Sequence, residues 1–192
     1  PTGGAKDSVV FPSSKGTMCW LNGVGLRRKI PNRRKIMPEV EKKLNDLGYQ
    51  LPPPRTTMAG NFVSAVRTGN LVYLSGHGPS LPEGGFSHTG KLGGNLTVDD
   101  GYAAARQTML NLLTSLKNEI GDLDKMKRVI KLLCMVNAEA DFRESPAVAN
   151  GGSDLLVSIY GDAGRHARSA VGMAMLPGQM AVEIEMIVEV ED

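Results

Sequence analysis

Between residues 61 and 190 the hydrophobic period switches repeatedly between two and 3.6, and the order of those switches limits the fold more than any single motif does. Residues 61–67 and 71–76 are strand-like runs flanking Thr68-Gly69-Asn70, which predicts a β-hairpin. Tyr102, Ala105, Met109, Leu112, Leu113, Leu116 and Ile120 then recur at helical spacing. Thr97-Val98-Asp99-Asp100 reads as a capping box with Asp in place of Glu, and Gly121 closes the helix. The apolar run 129–136 predicts a strand, and residues 147–160 a second helix weakened by Gly151-Gly152. Residues 168–175 and 182–189 both alternate, with Leu176-Pro177-Gly178-Gln179 between them as the turn of a C-terminal hairpin. A short punctuated helix over 38–48 and an extended linker at Leu51-Pro52-Pro53-Pro54 come first. The order ββ, α, β, α, ββ predicts an α+β domain with one mixed sheet and both long helices packed on one of its faces.

The last two strands carry the most chemistry. In the second, Val182, Ile184, Met186 and Val188 share one face, and Glu183, Glu185 and Glu189 the other. In the first, Ser169, Val171, Met173 and Met175 oppose Arg168, Ala170, Gly172 and Ala174. A greasy face set against one of small residues, carboxylates and a lone guanidinium predicts a pocket wall. An ordinary hairpin with a solvated charged face fits the same pattern. With a turn near Pro177-Gly178, Arg168 falls opposite Ile187 and roughly 13 Å from Glu183, at ~3.3 Å per position. A small substrate then reaches both only if side chains converge or a neighbouring subunit contributes.

The 192 residues divide unevenly in charge. Residues 1–36 hold eight of the 22 basic side chains and one of the 20 acidic ones, so a basic tail precedes a mildly acidic domain over 37–192. The tail is rich in Gly, Ser and Pro without periodicity and is expected to be disordered. It reads as a mitochondrial transit peptide, a nucleic-acid-binding arm, or translated sequence upstream of a start at Met37; the last is preferred because a helix follows Met37 at once. No apolar run approaches the ~18 residues of a membrane span. Two cysteines, Cys19 and Cys134, are too few for a disulfide framework, and Cys134 sits in an apolar strand where an inert thiol is expected. A reducing, cytoplasmic compartment fits, or a mitochondrial one if the tail is a transit peptide.

Several chemistries find no support in the residues. His77, His88 and His166 lack metal-ligand spacing. Gly76-His77-Gly78 lacks the third glycine and the immediate helix of a dinucleotide loop. Asn95-Leu96-Thr97 is a formal glycosylation sequon but reads more simply as loop and helix cap. No cofactor or metal is expected. What remains is Arg168, suited to clamping a carboxylate with paired hydrogen bonds, and Glu183, suited to orienting or deprotonating a water.

The segment 60–76, Gly-Asn-Phe-Val-Ser-Ala-Val-Arg-Thr-Gly-Asn-Leu-Val-Tyr-Leu-Ser-Gly, resembles the amino-terminal hairpin of the Rid (YjgF) family. Arg168-Ser169-Ala170-Val171 is similar to that family's arginine signature, and Val182-Glu183-Ile184-Glu185 to its last strand. The stretches 150–156 and 164–172 resemble its longer branch, described as endoribonucleases. The resemblance covers about residues 38–190. It implies a chorismate-mutase-like fold of the Bacillus type and a homotrimer with sites between subunits. It also implies cofactor-free hydrolysis of reactive 2-enamines and 2-imines to 2-keto acids and ammonia. By the same resemblance Arg168 grips the substrate carboxylate, Glu183 serves the attacking water, and Ser75, Gly76 and Asn150 line the pocket. The family's pocket tyrosine falls on Phe62, and its cysteine two residues after the arginine falls on Ala170, so Ala170 offers only backbone groups. Two other functions stand beside the deaminase: an endoribonuclease or translation inhibitor, and a non-catalytic binder of small carboxylates. The net-acidic domain without a histidine pair disfavours RNA as a partner.

Overall fold

The structure is a computed structural model that describes residues 38–54 and 60–192; the basic extension over 1–36 lies outside the described residues. Eight principal elements follow in chain order: α1 Glu39–Asp46, β1 Ala65–Thr68, β2 Leu71–His77, α2 Val98–Ile120, β3 Met126–Asn137, α3 Ser145–Tyr160, β4 Ala167–Met173 and β5 Val182–Val190. The strands form one sheet in the order β1-β2-β5-β3-β4. All neighbours are antiparallel except β3 and β4, which are parallel. A parallel pair needs a crossover, and α3 supplies it.

Both long helices cover one face of this mixed sheet. Val72 and Leu74 of β2, Leu132, Cys134 and Val136 of β3, and Ile184, Met186 and Val188 of β5 are buried there against Met109, Leu112, Leu113 and Leu116 of α2 and Val148, Leu156 and Ile159 of α3. The α+β class is therefore as the periodicity predicts. Thr97 and Asp100 cap α2 reciprocally: Asp100 N donates to Thr97 Oγ1 at 3.2 Å, and Thr97 N to Asp100 Oδ2 at 2.9 Å. Gly121 ends the helix at φ 81°.

Several expectations differ from the structure. The C-terminal stretches are not a hairpin, because β3 lies between β4 and β5. The stretch Leu176–Gln179 is not a hairpin turn but a connection that runs along the loop at 88–90, where Gly90 N donates to Gln179 O and Ala181 N to His88 O, and Leu176 and Met180 are buried. α3 runs unbroken through the pair Gly151-Gly152. A Cβ on Gly151 would run into the Tyr102 carbonyl of α2, so the glycine is what lets the two helices approach. Residues 51–54 are no free linker: Leu51 packs on the core, and Pro52 O accepts from Thr114 Oγ1 at 3.0 Å. The first strand is also shorter than its pattern, starting at Ala65 instead of residue 61.

Among the described residues no helix covers the far face of the sheet. Val66, Tyr73, Val171 and Met173 stand exposed on it. Ladder partners place Tyr73 beside Ile187, Glu185 beside Leu133, and Met135 between Glu183 on one side and Val171 on the other.

Candidate active site

The seven residues singled out from the sequence gather into two groups. Arg168, Ala170 and Asn150 lie on the helix-covered side. Arg168 pairs with Leu132, and Ala170 with Cys134, both core-facing positions of β3. The guanidinium reaches back onto α3, where Nη1 donates to Asn150 Oδ1 at 2.9 Å and to Ser153 Oγ at 3.0 Å, and Nη2 to the Pro146 carbonyl at 3.3 Å. Positions 146, 150 and 153 are four and three residues apart, a single stripe of the helix. Nη1 thus has both hydrogens engaged. Among the described residues Nε–H has no partner, and Nη2 retains one hydrogen. The edge of the guanidinium still available is the side-on fork of Nε and Nη2, which matches the two oxygens of a carboxylate.

Sequence reasoning missed Ser153 and His166. His166 Nε2 lies 3.1 Å from Ser153 Oγ, and Nδ1 lies 2.7 Å from Gly164 O. Burial lowers the His166 pKa, the bond to the Gly164 carbonyl opposes that, and the positive charges of Arg168 and Lys131 lower it further. The helical spacing of Asn150 and Ser153 was the available signal for the serine. Nothing in the spacing of His166 marked it.

Phe62, Ser75, Gly76 and Glu183 form the second group. Ser75 and Gly76 sit where the β2–β5 register shifts, between Leu74 and His77. Ser75 N donates to Ser64 O, and Ser75 Oγ to Val63 O at 2.7 Å, which ties down the segment that carries the half-exposed Phe62 ring. The Glu183 carboxylate lies over the Cα of Gly76, in the space a Cβ would fill. Burial is the larger cause that raises the Glu183 pKa, and the Glu185 carboxylate adds to it. Glu183 is half-buried and Glu185 exposed, in line with Glu183 sitting deeper.

Arg168 and Glu183 do not meet within one chain, and they do not share a face. Arg168 points to the helices, whereas Glu183 pairs with the outward-facing Met135. Along the ladders they are two strands and three residues apart, roughly 14 Å between Cα atoms at ~3.3 Å per residue and ~4.8 Å per strand. The expected single pocket wall with both charges is therefore replaced by two half-sites on opposite sides of the sheet.

The other chemistry-bearing residues are accounted for structurally. Cys134 is buried and its thiol pushed up to about 12 by burial, so it is inert as expected. His77 bridges Ser75 O and Ser115 Oγ at 2.6 and 2.7 Å, locking β2 to α2. The Asn95 amide folds into its own loop, accepting from Lys91 N at 2.8 Å. Among the described residues no group of three or more His, Cys, Asp or Glu is placed to hold a metal, and no helix is long and apolar enough to cross a membrane.

Comparison with known proteins agrees with this fold. Residues 41–190 match the family model described as "YjgF/chorismate mutase-like, putative endoribonuclease". The chain is 44% identical to Protein TCP17 of Trypanosoma cruzi over 154 residues, covering 80% of this chain and 95% of that one. Among solved structures it is similar to Atu1372 of Agrobacterium tumefaciens, a protein of unknown function, with 39% identity and a TM-score of 0.73 over 80% of this chain and 93% of that one. A Shewanella oneidensis protein carrying the same endoribonuclease description matches at 32% identity and a TM-score of 0.75, over 79% of this chain and 99% of that one. With most of its length matched by the family model and by a relative of this identity, the chain belongs to the YjgF (Rid) family of chorismate-mutase-like proteins.

Proposed function

We propose that this protein is a cofactor-free hydrolase of 2-imino and 2-enamino acids, releasing 2-keto acids and ammonia, with each site built from two copies of the chain in a homotrimer. The observation that carries this reading is the Arg168 fork: Nη1 is held by Asn150 and Ser153 and Nη2 by the Pro146 carbonyl, while among the described residues Nε–H and the second Nη2 hydrogen are left to receive a carboxylate. The second support is the separation of the half-sites. A substrate a few ångströms long reaches Arg168 and Glu183 only if the Glu183 comes from another copy. The helix-free sheet face, with Val66, Tyr73, Val171 and Met173 exposed, is the surface a second copy covers.

The chemistry asks little of such a site. The substrate carboxylate docks on Nε and Nη2 of Arg168, which leaves the adjacent iminium carbon electrophilic and fixed in place. Glu183 of the second copy orients a water and accepts its proton as the oxygen bonds to that carbon. Glu183 passes that proton to the nitrogen and takes the hydroxyl proton as the C–N bond breaks, so the carbonyl forms and ammonia leaves, carrying the proton away as ammonium. A raised pKa suits Glu183 for accepting a proton and returning it. An enamine enters by first taking a proton at its β-carbon. Ala170 contributes only its backbone, and Phe62 offers a ring without a hydroxyl.

RNA cleavage needs a basic cleft and a paired acid and base. Domain residues 37–192 carry 19 acidic against 14 basic side chains. The two more buried histidines are each engaged, His77 with Ser115 and His166 with Ser153. The test is a keto-acid release assay in which an amino-acid dehydratase supplies the imine. Wild type is expected to speed keto-acid release, and Arg168→Ala to match the uncatalysed rate. Equal rates for the two proteins would remove the assignment, and cleavage of a single-stranded RNA by wild type but not Arg168→Ala would replace it.

A further inference from the structure

The hydrogen bonds behind Arg168 can run in one direction only. Gly164 O accepts, so His166 Nδ1 carries the ring proton and Nε2 presents its lone pair. Arg168 Nη1 donates, so Ser153 Oγ accepts from it and turns its own hydrogen toward Nε2. Each polar atom from the guanidinium to the Gly164 carbonyl thereby has a fixed role. Protonation of His166 would reverse the last step: Nε2 would become a donor to Ser153 Oγ, which already receives Nη1–H. The charges that His166 feels are Arg168, two residues on in β4, and Lys131 on β3, and α3 presents it with the Ser153 hydroxyl.

We infer that Ser153 and His166 are positioning residues that set the rotation of the Arg168 guanidinium, so that its Nε–Nη2 edge faces the substrate carboxylate. This rests on the reading of Arg168 as the carboxylate anchor. Asn150, the other side-chain partner of Nη1, is exposed, and the Pro146 carbonyl holds Nη2 by a longer bond of 3.3 Å. Ser153 is half-buried and backed by the imidazole, so it can fix the rotation. The relay matters because a planar fork loses its second hydrogen bond when it turns out of the carboxylate plane, whereas its charge is unaffected. Removing the relay should therefore weaken carboxylate binding without abolishing it.

The experiment is calorimetric titration of the full chain with 2-oxobutanoate, alongside KM and kcat for imine hydrolysis. Ser153→Ala is expected to weaken binding about tenfold, the worth of one hydrogen bond to a charged group, with the loss falling on KM more than on kcat. Ser153→Thr, which keeps the hydroxyl, should bind within about threefold of wild type. His166→Gln places an uncharged acceptor near the Nε2 position and should bind comparably at neutral pH. Because the His166 pKa is lowered, wild-type affinity should hold through the ordinary imidazole value of about 6.5 and fall only at lower pH, and that of His166→Gln should not fall. Nitrogen NMR of the wild-type His166 ring should report the Nδ1–H tautomer. Unchanged binding in Arg168→Ala would overturn the anchor reading itself. Loss in Arg168→Ala with wild-type affinity and pH profile in both Ser153→Ala and His166→Gln would leave the anchor standing and overturn the relay.

Discussion

The Glu183 carboxylate occupies the space that a side chain on Gly76 would need. The two residues come from adjacent strands at the register shift of β2 against β5. Gly76 has no positive φ, so the backbone itself would accept alanine. Only the far end of Glu183 stands in the way, and it can swing aside. Gly76→Ala should therefore cost only about 1 kcal/mol of stability, the low end for overpacking, yet remove most imine hydrolysis. Denaturant unfolding and the keto-acid assay on the same preparation check both halves.

The opposite balance holds at Gly151. Helix propensity alone says that alanine there should stabilise α3 by about 1 kcal/mol. The obstacle is the Tyr102 backbone carbonyl, which has no rotamer to change. A forced shift of packed helices costs about 3 kcal/mol, so Gly151→Ala should destabilise by about 2 kcal/mol net. Urea unfolding midpoints measure it.

Glu183 also ties stability to pH. Its folded pKa is raised, so the folded chain holds this proton more tightly than the unfolded chain does. That stabilisation is full below the unfolded value of about 4.3 and is lost as pH rises through the folded value. Glu183→Gln carries no such proton. Its melting temperature relative to wild type should climb between about pH 4 and pH 7, modestly, because the group is only half-buried. Thermal melts across that range provide the check.

The sequence made the elements legible because each carries its own period: the α2 stripe from Tyr102 to Ile120, its Thr97–Asp100 cap and the Gly69-Asn70 turn all depend on neighbours in the chain. Strand order does not. Arg168 and Glu183 lie in consecutive strands, and only the insertion of β3 between them decides their relation. Arg168 and Glu183 were visible as residue types on alternating faces, whereas Phe62, Ser75, Gly76, Asn150 and Ala170 came only from the family resemblance. Which face met the helices was not visible, because Val171 and Met173 look like core from their pattern and stand exposed in the described chain. Gly151 misled for a similar reason, since its role depends on a carbonyl 49 positions away in sequence.

The central claim is that Arg168 from one copy works with Glu183 from another. Mixing refolded Arg168→Ala and Glu183→Ala proteins tests it most directly. Each variant alone should lack imine hydrolysis. In randomly mixed trimers about one site in four combines the intact arginine of one chain with the intact glutamate of its neighbour, so about a quarter of wild-type activity should return. A mixture as inactive as its components, with mixed trimers confirmed by native mass spectrometry, would contradict the shared site.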